Sequence, residues 1–321
     1  MWTRRRPPGC LRLSFRRFLM RYGMNPHQPA TMTALGGSPF AVVSGVPSYV
    51  NVLDALTGWQ LVREASGAFG VPAAASYKHV SPAGAALGDS VAGAYLRARD
   101  ADPKSSYGDF VAVSHPVDAE LAGVLKRVVS DGIIASGYDE GVVGTLAAKK
   151  RGSFLVLEAD PAFEPPAEEV RELYGLRLTQ RRDDVPLTRE LLDPAVPDAA
   201  ARDLLLGLIV VRYTQSNTVA MVKDGMTIGV GAGQQSRVDC TRLAGEKAAA
   251  WWDRRSTEAL ADVAMVSDGA LPFVDNVEEA HRYGVAHIAE PGGSIRSDEV
   301  AQACAVRGIS WSPTGVRLFR H

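Results

Sequence analysis

The chain has 321 residues, 46 % of them hydrophobic and 22 % charged. That composition suits a globular protein with a sizeable core and excludes disorder as its overall state. Lys and Arg number 35 against 36 Asp and Glu, a net charge of −1, so the chain as a whole lacks the basic excess of a nucleic-acid binder.

Cys10, Cys240 and Cys304 are far apart and make neither a disulfide framework nor a Cys-x-x-Cys knuckle. No apolar run approaches the ~20 residues of a membrane span. The expectation is a soluble α/β protein of the reducing cytoplasm, most often an enzyme, binding neither nucleic acid nor membrane.

Residues 1–20 stand apart as a basic extension, with Arg4, Arg5, Arg6, Arg12, Arg16 and Arg17 and no acid. They read either as a transit peptide or anionic-surface tether, or as an upstream extension with the natural start nearer Met20 or Met24.

From residue 40 the pattern alternates. A strand is predicted over 40–46 and a helix over 51–62, with Asn51 as its cap. Residues 73–80 read as extended and 90–99 as helix. Strand 110–114, helix 119–129, strand 132–135, helix 140–150 and strand 153–158 follow. Residues 158–200 carry six prolines among many acids and read as the connection between two halves.

The second half resumes with a helix over 201–213. Strands 219–223 and 226–230 flank Asp224-Gly225, a hairpin signal. Helix 241–254, strand 263–267, helix 276–283, strand 285–289, helix 297–306 and strand 308–311 complete the chain. Strands alternating with helices imply a layered α/β sheet. Ser-Asp-Gly occurs in both halves, at 130–132 and 267–269, which is compatible with two similar halves.

Tyr77-Lys78-His79 ends an apolar run and precedes a Gly/Pro-containing segment read as a loop, Ser81-Pro82-Ala83-Gly84-Ala85. Strand ends of this kind are where α/β sheets hold active groups. A histidine there can accept a proton, and an adjacent lysine can stabilise a developing anion. The same residues also read as an exposed lysine and a structural histidine.

The glycines of Gly229-Val230-Gly231-Ala232-Gly233 suit close approach of backbone to a ligand. Gln234 holds the last glycine position of G-x-G-x-x-G, so a dinucleotide site is not expected. The polar run Tyr213-Thr214-Gln215-Ser216-Asn217 suits either recognition of a heterocycle or helix capping. Pro291-Gly292-Gly293-Ser294 suits an anion or a turn. None of the six histidines pairs with another ligand at zinc spacing, so no metal is expected.

The order of the blocks is distinctive. Arg21-Tyr22-Gly23-Met24-Asn25-Pro26-His27-Gln28, Ser76-Tyr77-Lys78-His79-Val80-Ser81-Pro82-Ala83-Gly84 and Ser105-Ser106-Tyr107-Gly108-Asp109-Phe110 resemble the AICAR transformylase domain of the bifunctional purine biosynthesis protein. So do 130–135, 213–217, 229–237, 291–296 and 314–321, in collinear order from Arg21 to His321.

The resemblance implies formyl transfer from 10-formyltetrahydrofolate to the 5-amino group of AICAR, giving FAICAR and tetrahydrofolate in IMP synthesis. It implies Lys78 and His79 as the catalytic pair. For the nucleotide it implies Arg21, Tyr22, Gly108, Asp131, Asn217, Arg237 and Arg317, and for the folate Val238, Asp268, His287 and Ile288. It further implies a homodimer, two cytidine deaminase-like α/β/α halves without zinc (residues 21–180 and 181–321), and a separate IMP cyclohydrolase. A monovalent cation is left open.

The family motif Ser-Asp-Ala-Phe-Phe-Pro-Phe reads Ser267-Asp268-Gly269-Ala270-Leu271-Pro272-Phe273 here, so two aromatics near the folate are replaced. That departure keeps an alternative in view: a nucleotide-binding relative with little transformylase activity, or an enzyme using another formyl donor.

Overall fold

The structure, a computed structural model, describes residues 18–321. The arginine-rich extension lies outside the described residues except for its last few positions.

Two short strands, β1 (Phe18–Leu19) and β2 (Thr31–Met32), pair with each other ahead of the main body. The first half then runs β3 (Phe40–Ser44), α1 (Tyr49–Phe69), β4 (Ala73–Lys78), β5 (Ser81–Leu87), α2 (Val91–Ala101), β6 (Asp109–Val113), α3 (Ala119–Arg127), β7 (Ser130–Ala135), α4 (Val142–Ala147) and β8 (Leu155–Ala159). An exposed hairpin, β9 (Glu168–Leu173) and β10 (Leu176–Arg181), stands outside the main sheet. The second half runs α5 (Asp198–Arg212), β11 (Thr218–Lys223), β12 (Met226–Ala232), α6 (Arg237–Trp252), β13 (Val263–Ser267), α7 (Asp275–Arg282), β14 (Val285–Glu290), α8 (Ser297–Val306) and β15 (Ser310–Pro313).

One mixed eleven-stranded sheet, in the order β15-β14-β13-β11-β12-β5-β4-β6-β7-β8-β3, carries both halves. Along each strand alternate side chains enter opposite cores. In β6, Val111 and Val113 join the core under α2, α3, α4, α6, α7 and α8, whereas Phe110 and Ala112 join the core under α1 and α5.

The halves repeat one order: a helix, an antiparallel hairpin, a helix, then three parallel strands linked by helices. They meet where β5 runs antiparallel to β12, with Ala86 opposite Met226. The two halves are therefore related as by a half-turn about an axis through the sheet.

The repeat reaches individual residues. Asp54-x-x-x-Gly58-x-x-x-Val62-Arg63 in α1 recurs as Asp203-x-x-x-Gly207-x-x-x-Val211-Arg212 in α5. Each of these glycines lets its helix sit on the sheet: a Cβ on Gly58 would meet the Ala112 Cβ at 2.9 Å, and one on Gly207 would meet Val266 Cγ2 at 2.5 Å. The Ser-Asp-Gly triplets are not equivalent, because one opens β7 and the other follows from the end of β13.

Three expectations change in detail. Ser48, not Asn51, caps α1; Asn51 is the third helical residue of a capping box, returning a bond to the Ser48 N–H. The Gly/Pro segment after His79 is a strand, β5, not a loop. The proline-rich connection contains the β9–β10 hairpin, and the subdomain limit drawn at 180 and 181 falls inside β10.

Candidate functional site

Lys78 and His79 lie on the β4–β5 hairpin. Lys78 pairs with Ser81, so His79 and Val80 are the two turn residues, with φ of +54° and +62°. Two left-handed positions in a two-residue loop are the mark of a type I′ turn. Such turns favour Asn, Asp and Gly, and a β-branched residue there is strained.

The turn has a brace. Asp54, on the first turns of α1 and buried, accepts the Val80 N–H at 2.6 Å. Burial pushes its carboxyl up to about 6. The Val80 N–H opposes that shift, nearby Asp131 adds to it, and Lys78 opposes it.

Lys78 Nζ donates to the Tyr107 carbonyl at 2.5 Å. Gly108 follows, with φ of +76°, and a Cβ there would lie 3.8 Å from Lys78 Nζ. Asp131, at the start of β7 and exposed, pairs with Lys150. Arg21 and Tyr22 lie by the start of α1: the Tyr22 carbonyl accepts the Tyr49 N–H, and the Arg21 guanidinium covers the Tyr22 ring at 4.7 Å. His79 is exposed, and the Lys78-His79 corner opens on a cleft of about 330 Å³ reaching β12 and α6 at Val230, Ala232 and Leu243.

The second half comes to the same edge of the sheet. The Gln215 N–H reaches Ser81 Oγ at 3.5 Å. Beyond it Asn217 Nδ2 donates to the carbonyls of Gln234 and Gln235, and its Oδ1 accepts from Arg237 Nη2 at 2.7 Å. Arg237 Nη1 donates to Asp268 Oδ1 at 2.5 Å, and Ser216 Oγ to Asp268 Oδ2 at 2.5 Å.

The C-terminal segment closes over this network. The Leu318 N–H meets the Asp268 carbonyl at 2.9 Å and the Arg320 N–H meets Ser216 Oγ at 3.0 Å. The guanidinia of Arg237 and Arg317 lie 5.8 and 4.8 Å from the centre of the Phe319 ring. Arg317 itself is exposed.

The structure thus gathers Lys78, His79, Gly108, Asp131, Asn217, Arg237 and Arg317 along one edge, with Arg21 and Tyr22 at the start of α1. The first half presents the amino ends of β6 and β7 there, and the second half the carboxyl end of β13.

The residues implied for folate do not gather. Val238 follows Arg237 in α6, half-buried. Asp268 is fully buried and its carboxylate is taken by Arg237 and Ser216, so it faces no open cleft. His287 sits beside Ala264, near the opposite end of β13 from Asp268, bonded to Ser310 Oγ at 2.8 Å and Asp262 Oδ1 at 3.2 Å. Ile288 points into the core.

Of the two altered motif residues, Leu271 is core and its N–H is held by the buried Glu290 at 3.1 Å, so that change falls on packing. Phe273 keeps an exposed ring in the same loop, with the Arg296 guanidinium 5.1 Å from its centre.

The glycines of β12 also have another duty than ligand approach. A Cβ on Gly229 would lie 2.0 Å from the Ala244 carbonyl oxygen of α6, and one on Gly231 would lie 2.1 Å from that of Cys240. These glycines seat the helix on the strand. Among the described residues no three His, Cys, Asp or Glu side chains gather as a metal site, and no helix is long and apolar enough to cross a membrane.

Sequence reasoning missed Asp54. An acid within the apolar stretch 52–62, repeated at Asp203 with the same Gly and Val-Arg spacing, is the signal the sequence offers.

A family model described as AICARFT/IMPCHase bienzyme matches residues 4–247. The chain is 37 % identical over 317 residues to a bifunctional purine biosynthesis protein PurH of Cereibacter sphaeroides, and 35 % identical over 314 residues to that of Dinoroseobacter shibae. Both alignments cover 94 % of this chain and 59 % of the relative, so the chain spans about three-fifths of the length of these curated relatives. Carrying the family's match over most of its length, the chain belongs to the AICARFT/IMPCHase bienzyme family.

Proposed function

We propose that this chain acts in purine biosynthesis by transferring the formyl group of 10-formyltetrahydrofolate to the 5-amino group of AICAR, giving FAICAR and tetrahydrofolate. The observation that carries the reading is the exposed Lys78-His79 corner, which opens on a cleft and shares one sheet edge with Asn217 and Arg237 of the other half.

The chemistry asks for such a pair. The AICAR amine is a weak nucleophile, because its lone pair is delocalised into the imidazole and carboxamide. As its nitrogen attacks the formyl carbon, His79 accepts the amine proton. The Lys78 ammonium stabilises the negative charge developing in the tetrahedral intermediate. The bond from formyl carbon to folate nitrogen then breaks, and a proton delivered to that nitrogen completes tetrahydrofolate.

Arg21 and Arg317 are exposed and suit a phosphate, which guanidinium groups bind through paired N–H donors. Gly108, whose backbone lies beside the Lys78 ammonium, and Asp131 are read as lining the nucleotide pocket. Each half is read as a cytidine deaminase-like unit without zinc, and the working enzyme as a homodimer in the cytoplasm. FAICAR would be closed to IMP by a cyclohydrolase activity outside the residues described here.

The test is tetrahydrofolate release by purified protein given AICAR and 10-formyltetrahydrofolate, with the Lys78→Ala/His79→Ala variant as control. Release by the wild type and not by the control supports the reading. AICAR binding without release by either favours a nucleotide-binding relative or another formyl donor, for which the replacement of two motif aromatics by Ala270 and Leu271 is the motivating observation.

A further inference from the structure

The β4–β5 turn is unfavourable on its own sequence. His79 and Val80 both hold positive φ, and neither is a residue that adopts it readily. A reactive pair on a flexible hairpin tip would sample many orientations, whereas catalysis needs the reacting groups held to a fraction of an ångström.

The second half contains the same device without the chemistry. Lys223 and Met226 close the β11–β12 hairpin around Asp224-Gly225, with φ of +53° and +73°. Asp203 of α5 accepts the N–H groups of Asp224 at 2.8 Å and of Gly225 at 2.7 Å. Asp203 and Asp54 occupy equivalent places in the repeat, each four residues before the glycine that seats its helix on the sheet. A buried aspartate bracing a left-handed turn is thus built into both halves, and only one of the two turns carries Lys-His.

We infer that Asp54 is a positioning residue: by accepting the Val80 N–H from a fixed helix, it holds the left-handed turn that aims Lys78 and His79 along the sheet edge. This rests on the proposed formyl transfer for its catalytic meaning, while the geometric claim stands apart. The Asp54 carboxylate accepts the Val80 N–H, and the Lys78 ammonium, the Asp131 carboxylate and the Tyr77 hydroxyl lie near enough to interact with it electrostatically. Asp54 acts through the turn and not on a reacting atom.

The experiment compares four variants of the full chain: Asp54→Ala, Asp54→Asn, Asp203→Ala and the double variant Asp54→Ala/Val80→Gly. Tetrahydrofolate release gives kcat and KM, direct titration gives AICAR affinity, and amide hydrogen exchange reports residues 77–82 and 222–227. For Asp54→Ala, kcat is expected to fall roughly 10- to 100-fold, with AICAR affinity within about threefold of wild type. Asn keeps an acceptor at the same place and is expected to restore kcat to within about threefold. Glycine at position 80 adopts the turn unaided and is expected to recover at least about fivefold of the loss. Asp203→Ala is expected to leave kcat unchanged and to speed exchange only around Asp224.

Wild-type kcat in Asp54→Ala, an equal fall in Asp203→Ala, or no rescue by Asn would overturn the inference. If the wild type releases no tetrahydrofolate, the functional reading fails. The brace is then judged by exchange alone: faster exchange at Val80 in Asp54→Ala but not in Asp54→Asn upholds it, and unchanged exchange overturns it.

Discussion

Two hairpins occupy equivalent places in this molecule and solve the same backbone problem with opposite sequences. The β11–β12 turn uses Asp224-Gly225, the residues such a turn prefers, and lies at the opposite edge of the sheet from Lys78 and His79. The β4–β5 turn uses His79-Val80, residues the turn disfavours, and faces the edge where both halves assemble Lys78, Asn217 and Arg237. A buried aspartate supports each. The comparison teaches that the first half accepts local strain at the turn that carries His79, and that the helix beside it supplies what the turn residues do not.

The largest effect separates the two turns by chemistry. Lys78→Ala and His79→Ala are each expected to lower turnover about 10²- to 10⁴-fold while AICAR binding persists. Lys223→Ala and Asp224→Ala are expected to leave turnover within about twofold. Steady-state tetrahydrofolate release decides, and equal losses at both turns would dissolve the distinction.

Next comes pH. The Asp54 carboxyl is held up to about 6 in the fold, above its ordinary value of 3.8, chiefly by burial. The folded state therefore binds this proton more tightly than the unfolded chain. Its contribution to stability is greatest below pH 3.8 and is lost as pH rises through 6. Asp54→Asn removes the penalty, so its stability relative to wild type is expected to rise by up to about 3 kcal/mol between pH 4 and pH 7. Denaturant titrations at the two pH values check this, and a difference that stays flat would argue against a buried, ionisable Asp54.

A smaller effect comes from exchanging the turns. Asp224→His/Gly225→Val is expected to cost about 1–2 kcal/mol, because a β-branched residue then holds the left-handed position, and to leave turnover alone. The reverse exchange, His79→Asp/Val80→Gly, is expected to raise stability by a few tenths to about 1 kcal/mol and to abolish turnover. Thermal melts and the release assay together test both, and a stabilised variant that still turns over would remove His79 from the mechanism.

The contrast also explains what the sequence disclosed. Asp224-Gly225 between two apolar runs reads directly as a hairpin, and β11 and β12 follow from it. The first hairpin is hidden, because His-Val is no turn signal and Ser81–Leu87 carries Pro82 and Gly84. Gly84 is there because α2 presses on β5: a Cβ would lie 2.1 Å from the Ala98 carbonyl oxygen. Tertiary packing selected a residue that local reasoning takes for a loop.

Most of the residues expected at the nucleotide end do reach one edge. His287 and Ile288, implied by the resemblance for the folate, lie elsewhere: His287 is opposite Ala264, toward the other end of β13, and Ile288 is in the core, placements that only the strand register fixes. The pairing of Asp268 with Arg237 was equally invisible, since they lie 31 residues apart and meet only across the sheet.

The β9–β10 hairpin offers a practical handle. Its tip, Tyr174-Gly175, is fully exposed and lies outside both half-sheets. A protease cut or a split gene there would yield two polypeptides, each carrying one complete repeat and rejoined through β5 and β12. Because Lys78 comes from one piece and Arg237 from the other, recovery of the proposed turnover on mixing would make the chain a fragment-complementation reporter of its own assembly.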